Sequence, residues 1–209
     1  MDEHPVAVWR GAFGREWTDR NPYTPGELDD LYEERYGTTR RALNERFLGD
    51  VPTDARILEV GMSTGVQLRL LKEQGYDDLY GVDVNEAVVR EFAADNDLAE
   101  VRVADARALP FGDDTFDLVF TSGVLIHLPV EDLRDCLTEL CRVSARYVWG
   151  FEYYAADRTE IEYRGHESFL WKDDFVDRYL SVTDAMLVRE ERVAYRGEDI
   201  EDTMFLLET

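Results

Sequence analysis

Short unbroken apolar runs alternate along this chain with stretches whose apolar residues recur every three to four positions. Ile57, Leu58 and Val60 form one such run, of strand length and without the polar alternation of a half-exposed strand. Similar runs at 79–84, 101–106, 115–122 and 146–151 predict four more strands. Between them, Leu68, Leu70 and Leu71, then Val88, Val89 and Phe92 within 85–96, then Leu133, Leu137 and Leu140 within 130–143 mark helical faces. Strand and helix in alternation predict an α/β fold with a mostly parallel, doubly wound sheet. Residues 169–180 predict a further helix, and 186–195 and 203–207 a closing pair of strands. That makes a seven-stranded sheet with an antiparallel final strand.

The first fifty residues read as a helical appendage. Trp9, Phe13 and Trp17 recur at a four-residue spacing that shares one helical face, although Gly11 and Gly14 loosen the helix. They either pack that helix onto the sheet or cover a ligand. Thr24, Pro25 and Glu27 form a capping box with proline at the first helical position. Leu28, Leu31, Tyr32, Leu43 and Phe47 carry the apolar face of the helix that begins there, and 51–54 breaks it before the sheet starts. The expectation is one domain over 1–209, with a helical lid at 1–50 and a core at 55–209.

Charge narrows the partners. The chain has 46 acidic against 23 basic residues, a formal net charge of −23, and only Lys72 and Lys172 are lysines. With acids spread along the whole length, the pattern reads as a surface kept soluble at high salt; a cationic partner is the rival explanation. A nucleic acid partner is disfavoured, because no basic stripe is present to neutralise phosphates. The polar start and the lack of a long apolar run give the expectation of a soluble, cytoplasmic protein without a membrane partner. Cys136 and Cys141, on different faces of one helical pattern, match no metal spacing and predict buried thiols.

The candidate chemistry sits at strand ends. Glu59 closes the first strand, and Gly61 and Gly65 follow in a turn where the backbone can bend sharply and approach a ligand. A dinucleotide fingerprint would need glycine at Ser63 and Val66. Bulk at Ser63 obstructs a pyrophosphate, so an adenosyl ligand without phosphates fits better. Asp83, about twenty residues on, stands where a strand-tip carboxylate can accept ribose hydroxyl protons. Asp105 ends the third strand and Ser122 the fourth, on the edge where open α/β sheets bind ligands. Asp117 opens its strand and reads as structural.

These motifs, E-x-G-x-S-x-G at 59–65, G-V-D-V at 81–84, A-D-A-x-x-L-P-F at 104–111 and F-D-L-V-F at 116–120, resemble the series of class I S-adenosylmethionine (SAM) methyltransferases. A narrower likeness runs through 123–127, Glu152-Tyr153-Tyr154, 161–166, Phe13-Gly14, Arg20-Asn21 and 205–207; these are similar to the pseudaminic acid biosynthesis-associated methylases. Ser63-Thr64 departs from the Asn-Ile pair usual in that family. The resemblance implies a Rossmann-like fold, SAM as cofactor, and methylation of a sugar or nonulosonic-acid-type precursor of surface glycans, nucleotide-activated forms included.

Under that resemblance Gly61, Met62, Ser63, Gly65 and Ser122 border the methionine half of SAM. Glu59 orients the turn or meets the amino group, and Arg20, Asn21 or Tyr23 meets the amino-acid end. Asp83 with Val84 holds the ribose, and Asp105 with Ala106 the adenine. In-line displacement of a neutral thioether depends mainly on alignment, so no metal is demanded. A hydroxyl acceptor needs a base whereas a carboxylate does not; His127 or Glu152 is the candidate. Tyr153, Tyr154, Tyr163, Arg164 and His166 would grip the acceptor, Arg164 through a guanidinium fork suited to an anion. The residues leave two alternatives open: another metabolite with a carboxylate or amine acceptor, or a non-catalytic SAM-binding regulatory module.

Overall fold

In the computed structural model, residues 4–21, 24–95, 98–163 and 166–209 are described. Two short helices, α1 (Pro5–Arg10) and α2 (Ala12–Arg20), precede a second pair, α3 (Pro25–Tyr36) and α4 (Arg40–Leu48). The sheet then begins with β1 (Arg56–Val60), α5 (Val66–Glu73), β2 (Asp78–Asp83), α6 (Glu86–Asp95), β3 (Glu100–Val103) and β4 (Phe116–Ser122). A single 3-10 turn (Leu125–His127), α7 (Val130–Val143) and β5 (Ser144–Tyr153) follow. The chain closes with a hairpin of β6 (Thr159–Tyr163) and β7 (His166–Lys172), then α8 (Phe175–Val182), β8 (Met186–Ala194) and β9 (Glu201–Glu208).

The seven-stranded sheet has the order β3-β2-β1-β4-β5-β9-β8. Strands β1 to β5 pair in parallel, and β9 runs antiparallel to both β5 and β8. Strand order therefore reverses between β1 and β4, the place where an open sheet leaves a crevice at its carboxyl edge. Successive residues of β1 face opposite sides. Ile57 packs with Leu43, Phe47 and Leu70 under α4 and α5, whereas Leu58 packs with Leu137, Leu140 and Tyr179 under α7 and α8. Each such fully buried aliphatic side chain contributes about 2 kcal/mol.

Three expectations about elements need correction. The N-terminal helix breaks at Gly11, whose backbone is extended, into α1 and α2. The helix begun by the Thr24 capping box stops at Gly37, in the left-handed region at φ 76°, and Thr39 caps a separate α4. Residues 169–180 are strand and then helix. Phe169, Leu170 and Trp171 are buried in the hairpin, with Leu170 opposite Ile161 and Trp171 opposite Glu160, and the Asp174 carboxylate caps α8 by accepting from the Asp177 amide. A short continuous apolar run has no period to separate the two states, and the aspartate pair that ends it is the missed boundary.

Both cysteines are free thiols as expected, Cys136 buried and Cys141 partly so. Asp117 accepts from the Arg56 amide at 2.8 Å, joining β4 to β1 as a structural side chain. Among the described residues, no helix is long and apolar enough to cross a membrane.

Candidate functional site

The turn after β1 is tied to β2 by the Gly61 and Met62 amides, which donate to the Val82 carbonyl at 2.8 and 3.0 Å. Gly61 is left-handed at φ +79°, and a Cβ there would lie 2.5 Å from Val124 Cγ2. The glycine thus lets the turn pass against the 123–127 segment. Ser63 also has positive φ and donates its amide to Asp83 Oδ2 at 2.9 Å, while Asn85 donates to Oδ1 at 2.9 Å. Burial raises the Asp83 acid and these backbone donors lower it, burial being the larger effect.

A cavity opens at the carboxyl edge above the β1–β4 crevice. Gly61, Ser63, Asp83, Val84, Asp105, Ala106, Ser122 and His127, all expected at the site, line it together. Val6, Trp9, Gly14, Trp17 and Thr18 cover it from α1 and α2. The covering helices are pinned from several sides. The Asn85 amide donates to the carbonyls of Trp9 (3.1 Å) and Gly11 (3.0 Å), His4 meets Asp132 at 3.0 Å, Arg15 pairs with Glu91, and the Thr18 and Ser63 hydroxyls are 3.3 Å apart. Trp9 Nε1 is buried without a hydrogen-bond partner. Among the described residues no lysine or arginine lines the cavity, whereas two aspartates do. Its chemistry therefore suits a diol and a cation over a pyrophosphate.

Several assigned residues occupy other places. The Met62 side chain is core, packed against Gly81. Gly65, at φ +68°, starts α5, and a Cβ on it would fall inside the Phe92 ring, so close packing and not a ligand requires it. Glu59 is buried behind the turn; burial pushes its acid well up, the Leu68 amide bonds it, and Oε2 has no partner. Asp105 faces the cavity, but Arg107 already occupies both oxygens, with Nε at 2.9 Å from Oδ1 and Nη2 at 2.7 Å from Oδ2. This pairing holds the Asp105 acid below its ordinary range and leaves less of it for an adenine amino group.

Glu152 was a candidate base, and the structure reassigns it. It is fully buried, absent from the cavity lining, and accepts from the amides of Val124 (3.2 Å) and Ile126 (3.4 Å). Its carboxylate thus organises the turn that presents His127, and burial pushes its acid up to about 7. His127 Nδ1 lies 2.9 Å from the Phe169 carbonyl. A carbonyl only accepts, so Nδ1 carries the proton and Nε2 keeps a lone pair. Packed against Trp9 (4.6 Å between centroids), Phe169 and Tyr163, the imidazole has its pKa lowered by burial to about 4.

Of the acceptor residues, Tyr163 accepts from Trp17 Nε1 at 3.1 Å beside His127, and Tyr153 is half-buried at the end of β5. Tyr154 is absent from the cavity lining and lies beneath the Arg192 guanidinium, 3.1 Å from its ring centroid, which corrects its assignment. His166 opposes Tyr163 in the hairpin register. Tyr23 and Arg164 lie outside the described residues. Sequence reasoning missed Arg40. This fully buried arginine donates to Asn44 and Tyr32 at 2.9 Å each and to the cavity-lining Ser122 at 3.3 Å, with its plane near Trp149 and Phe151. Nothing in its sequence setting separates it from a solvated helix arginine.

Comparisons with known proteins agree with this architecture. Residues 58–146 match the methyltransferase domain family. A probable chloroplastic tocopherol O-methyltransferase of Oryza sativa subsp. japonica is 28% identical over 149 residues, 66% of this chain and 40% of that protein. Malonyl-[acyl-carrier protein] O-methyltransferase of Halorhodospira halophila is 37% identical over 94 residues, 43% of this chain and 31% of that protein. The chain spans less than half the length of the curated relatives it matches. In overall shape it is similar to Burkholderia thailandensis 1,6-didemethyltoxoflavin-N1-methyltransferase, crystallised with 1,6-didemethyltoxoflavin and S-adenosylhomocysteine. The TM-score is 0.75 at 14% identity, covering 100% of this chain and 92% of that one. The fold is the Rossmann-like fold of class I methyltransferases.

Proposed function

We propose that this chain is a SAM-dependent methyltransferase acting on a small molecule, within one domain whose helices α1 and α2 close over the site. The observation that carries the reading is the cavity at the β1–β4 crevice, lined by two aspartates and His127 and, among the described residues, by no lysine or arginine. Asp83 accepts the two ribose hydroxyls, since backbone amides of Ser63, Val84 and Asn85 fix its carboxylate at the cavity wall and carboxylate oxygens can take further donors. Val84, Ala104 and Ala106 give apolar walls for a purine, and Gly61 and Ser122 border the methionine half. Bound there, SAM would supply an electrophilic methyl group on a cationic sulfur.

His127 Nε2 is the chain's proton acceptor for a hydroxyl nucleophile. Its lowered basicity favours a second version of the reaction, in which the acceptor is a carboxylate and no base is needed. We infer that the acceptor is a sugar or nonulosonic-acid-type precursor of surface glycans, which the likeness at 123–127 and 161–166 to pseudaminic acid-associated methylases supports. The acidic surface suits a high-salt cytosol. Purified protein incubated with methyl-labelled SAM and a panel of acidic and nucleotide-activated sugars tests the reading. Label transfer to any of them supports it; SAM binding without transfer to any acceptor would favour a regulatory SAM-binding module.

A further inference from the structure

The carboxyl edge continues beyond the cofactor cavity to β5, β9 and β8, and a second polar group gathers there. Tyr153 at the end of β5 pairs in register with Asp202 of β9, which in turn pairs with Val193 of β8. Asp202, 1% exposed, accepts from the phenols of Tyr36 at 2.5 Å and Tyr195 at 3.0 Å. Arg35, in the last turn of α3, stands over both rings, 5.9 Å and 5.5 Å from their centroids. It forms no ion pair with a carboxylate among the described residues, although acids outnumber bases 46 to 23 and the arginines at 41, 107, 142 and 158 each find one. The Tyr153 carbonyl accepts from the Asp173 amide at 3.3 Å, just past the end of β7, the strand whose Phe169 carbonyl meets His127. The group therefore adjoins the hairpin that holds His127.

Favourable placement at a helix C-terminus accounts for Arg35 on α3. It does not account for three phenols converging from α3, β5 and the segment after β8. We propose that Arg35, Tyr36, Tyr153 and Tyr195 form the acceptor subsite, and that the acceptor is a small polyhydroxylated carboxylate. The Tyr36 phenol donates to Asp202 and is also bonded by Arg35, so the oxygens left to accept from ligand hydroxyls are those of Tyr195, whose proton goes to Asp202, and Tyr153. The guanidinium fork matches a carboxylate bidentately, and its planar face is already oriented by the rings beneath it. The inference rests on the reading of the neighbouring cavity as a SAM site.

The test is calorimetric titration of the protein saturated with S-adenosylhomocysteine, using N-acetylneuraminate as the polyhydroxylated carboxylate and its uncharged methyl ester as control. The acid should bind saturably and the ester at least tenfold more weakly. Arg35→Met should reduce acid binding to the ester's level with S-adenosylhomocysteine affinity unchanged, and Arg35→Lys should restore part of the difference. Absence of saturable binding by the acid, equal affinities of acid and ester, or wild-type acid binding by Arg35→Met would each overturn the assignment. If Arg35→Met does not fold, the acid–ester comparison and Arg35→Lys decide the matter. Failure of the wild-type protein to bind S-adenosylhomocysteine at all would refute the cofactor reading and not the subsite.

Discussion

Replacing Asp83 by alanine removes the acceptor on which the cofactor site is built. Two amides, Ser63 and Asn85, each donate to its carboxylate at 2.9 Å. Loss of these bonds should cost about 1 kcal/mol each, because the open cavity lets water replace the carboxylate. Binding suffers separately. Two ribose hydroxyls donating to an ionised acceptor contribute about 1.5 kcal/mol each at the low end, so affinity should fall roughly a hundredfold, and at least tenfold. Asp83→Asn keeps one acceptor oxygen and should lie between the two. Calorimetric titration with S-adenosylhomocysteine, with a thermal melt on each variant, separates affinity from stability. A folded Asp83→Ala protein that binds with wild-type affinity would refute the ribose assignment.

Two other substitutions test the surrounding packing. Burial raises the Glu152 acid from its ordinary 4.5 to about 7, so the folded chain holds a proton that the unfolded chain has already released between these values. Stability associated with that proton is present below pH 4.5 and lost as pH rises through 7; Glu152→Gln should therefore gain on wild type across this window by up to about 3 kcal/mol. Denaturant melts at pH 5 and pH 8 measure the difference, and a constant gap would contradict a buried, neutralised Glu152. Gly65→Ala places a Cβ against Phe92 at φ +68° and should cost about 2–4 kcal/mol from left-handed strain plus overpacking. Unchanged urea stability would show that the turn relaxes freely.

Much of the sheet was legible because period and strand-end chemistry are local properties. The run ending at Glu59, the glycine at 61 and the acid at 83 each have a meaning fixed by spacing alone, and the structure brings Gly61 and Asp83 to one cavity. Gly65 reads in the sequence as a sharp turn close to a ligand, but what requires it is the Phe92 ring, which arrives from α6 and has no trace near the turn. Tertiary partners misled elsewhere too. Glu152 looked like a base at a strand tip, yet its oxygens are consumed by amides of the 123–127 segment. Arg40 and Arg35 sit in polar helix stretches indistinguishable from solvated faces; their roles depend on rings from β5 and from the segment after β8. The hairpin at 159–172 was hidden because three consecutive apolar residues carry no periodicity.

A crystal structure of the protein grown with S-adenosylhomocysteine bears most directly on the whole account. The nucleoside should lie beneath Trp9 and Trp17, with both ribose hydroxyls on Asp83 and the sulfur close to His127. A cavity without the compound under saturating conditions, or one that instead takes up a nicotinamide dinucleotide or a nucleoside triphosphate, would contradict it.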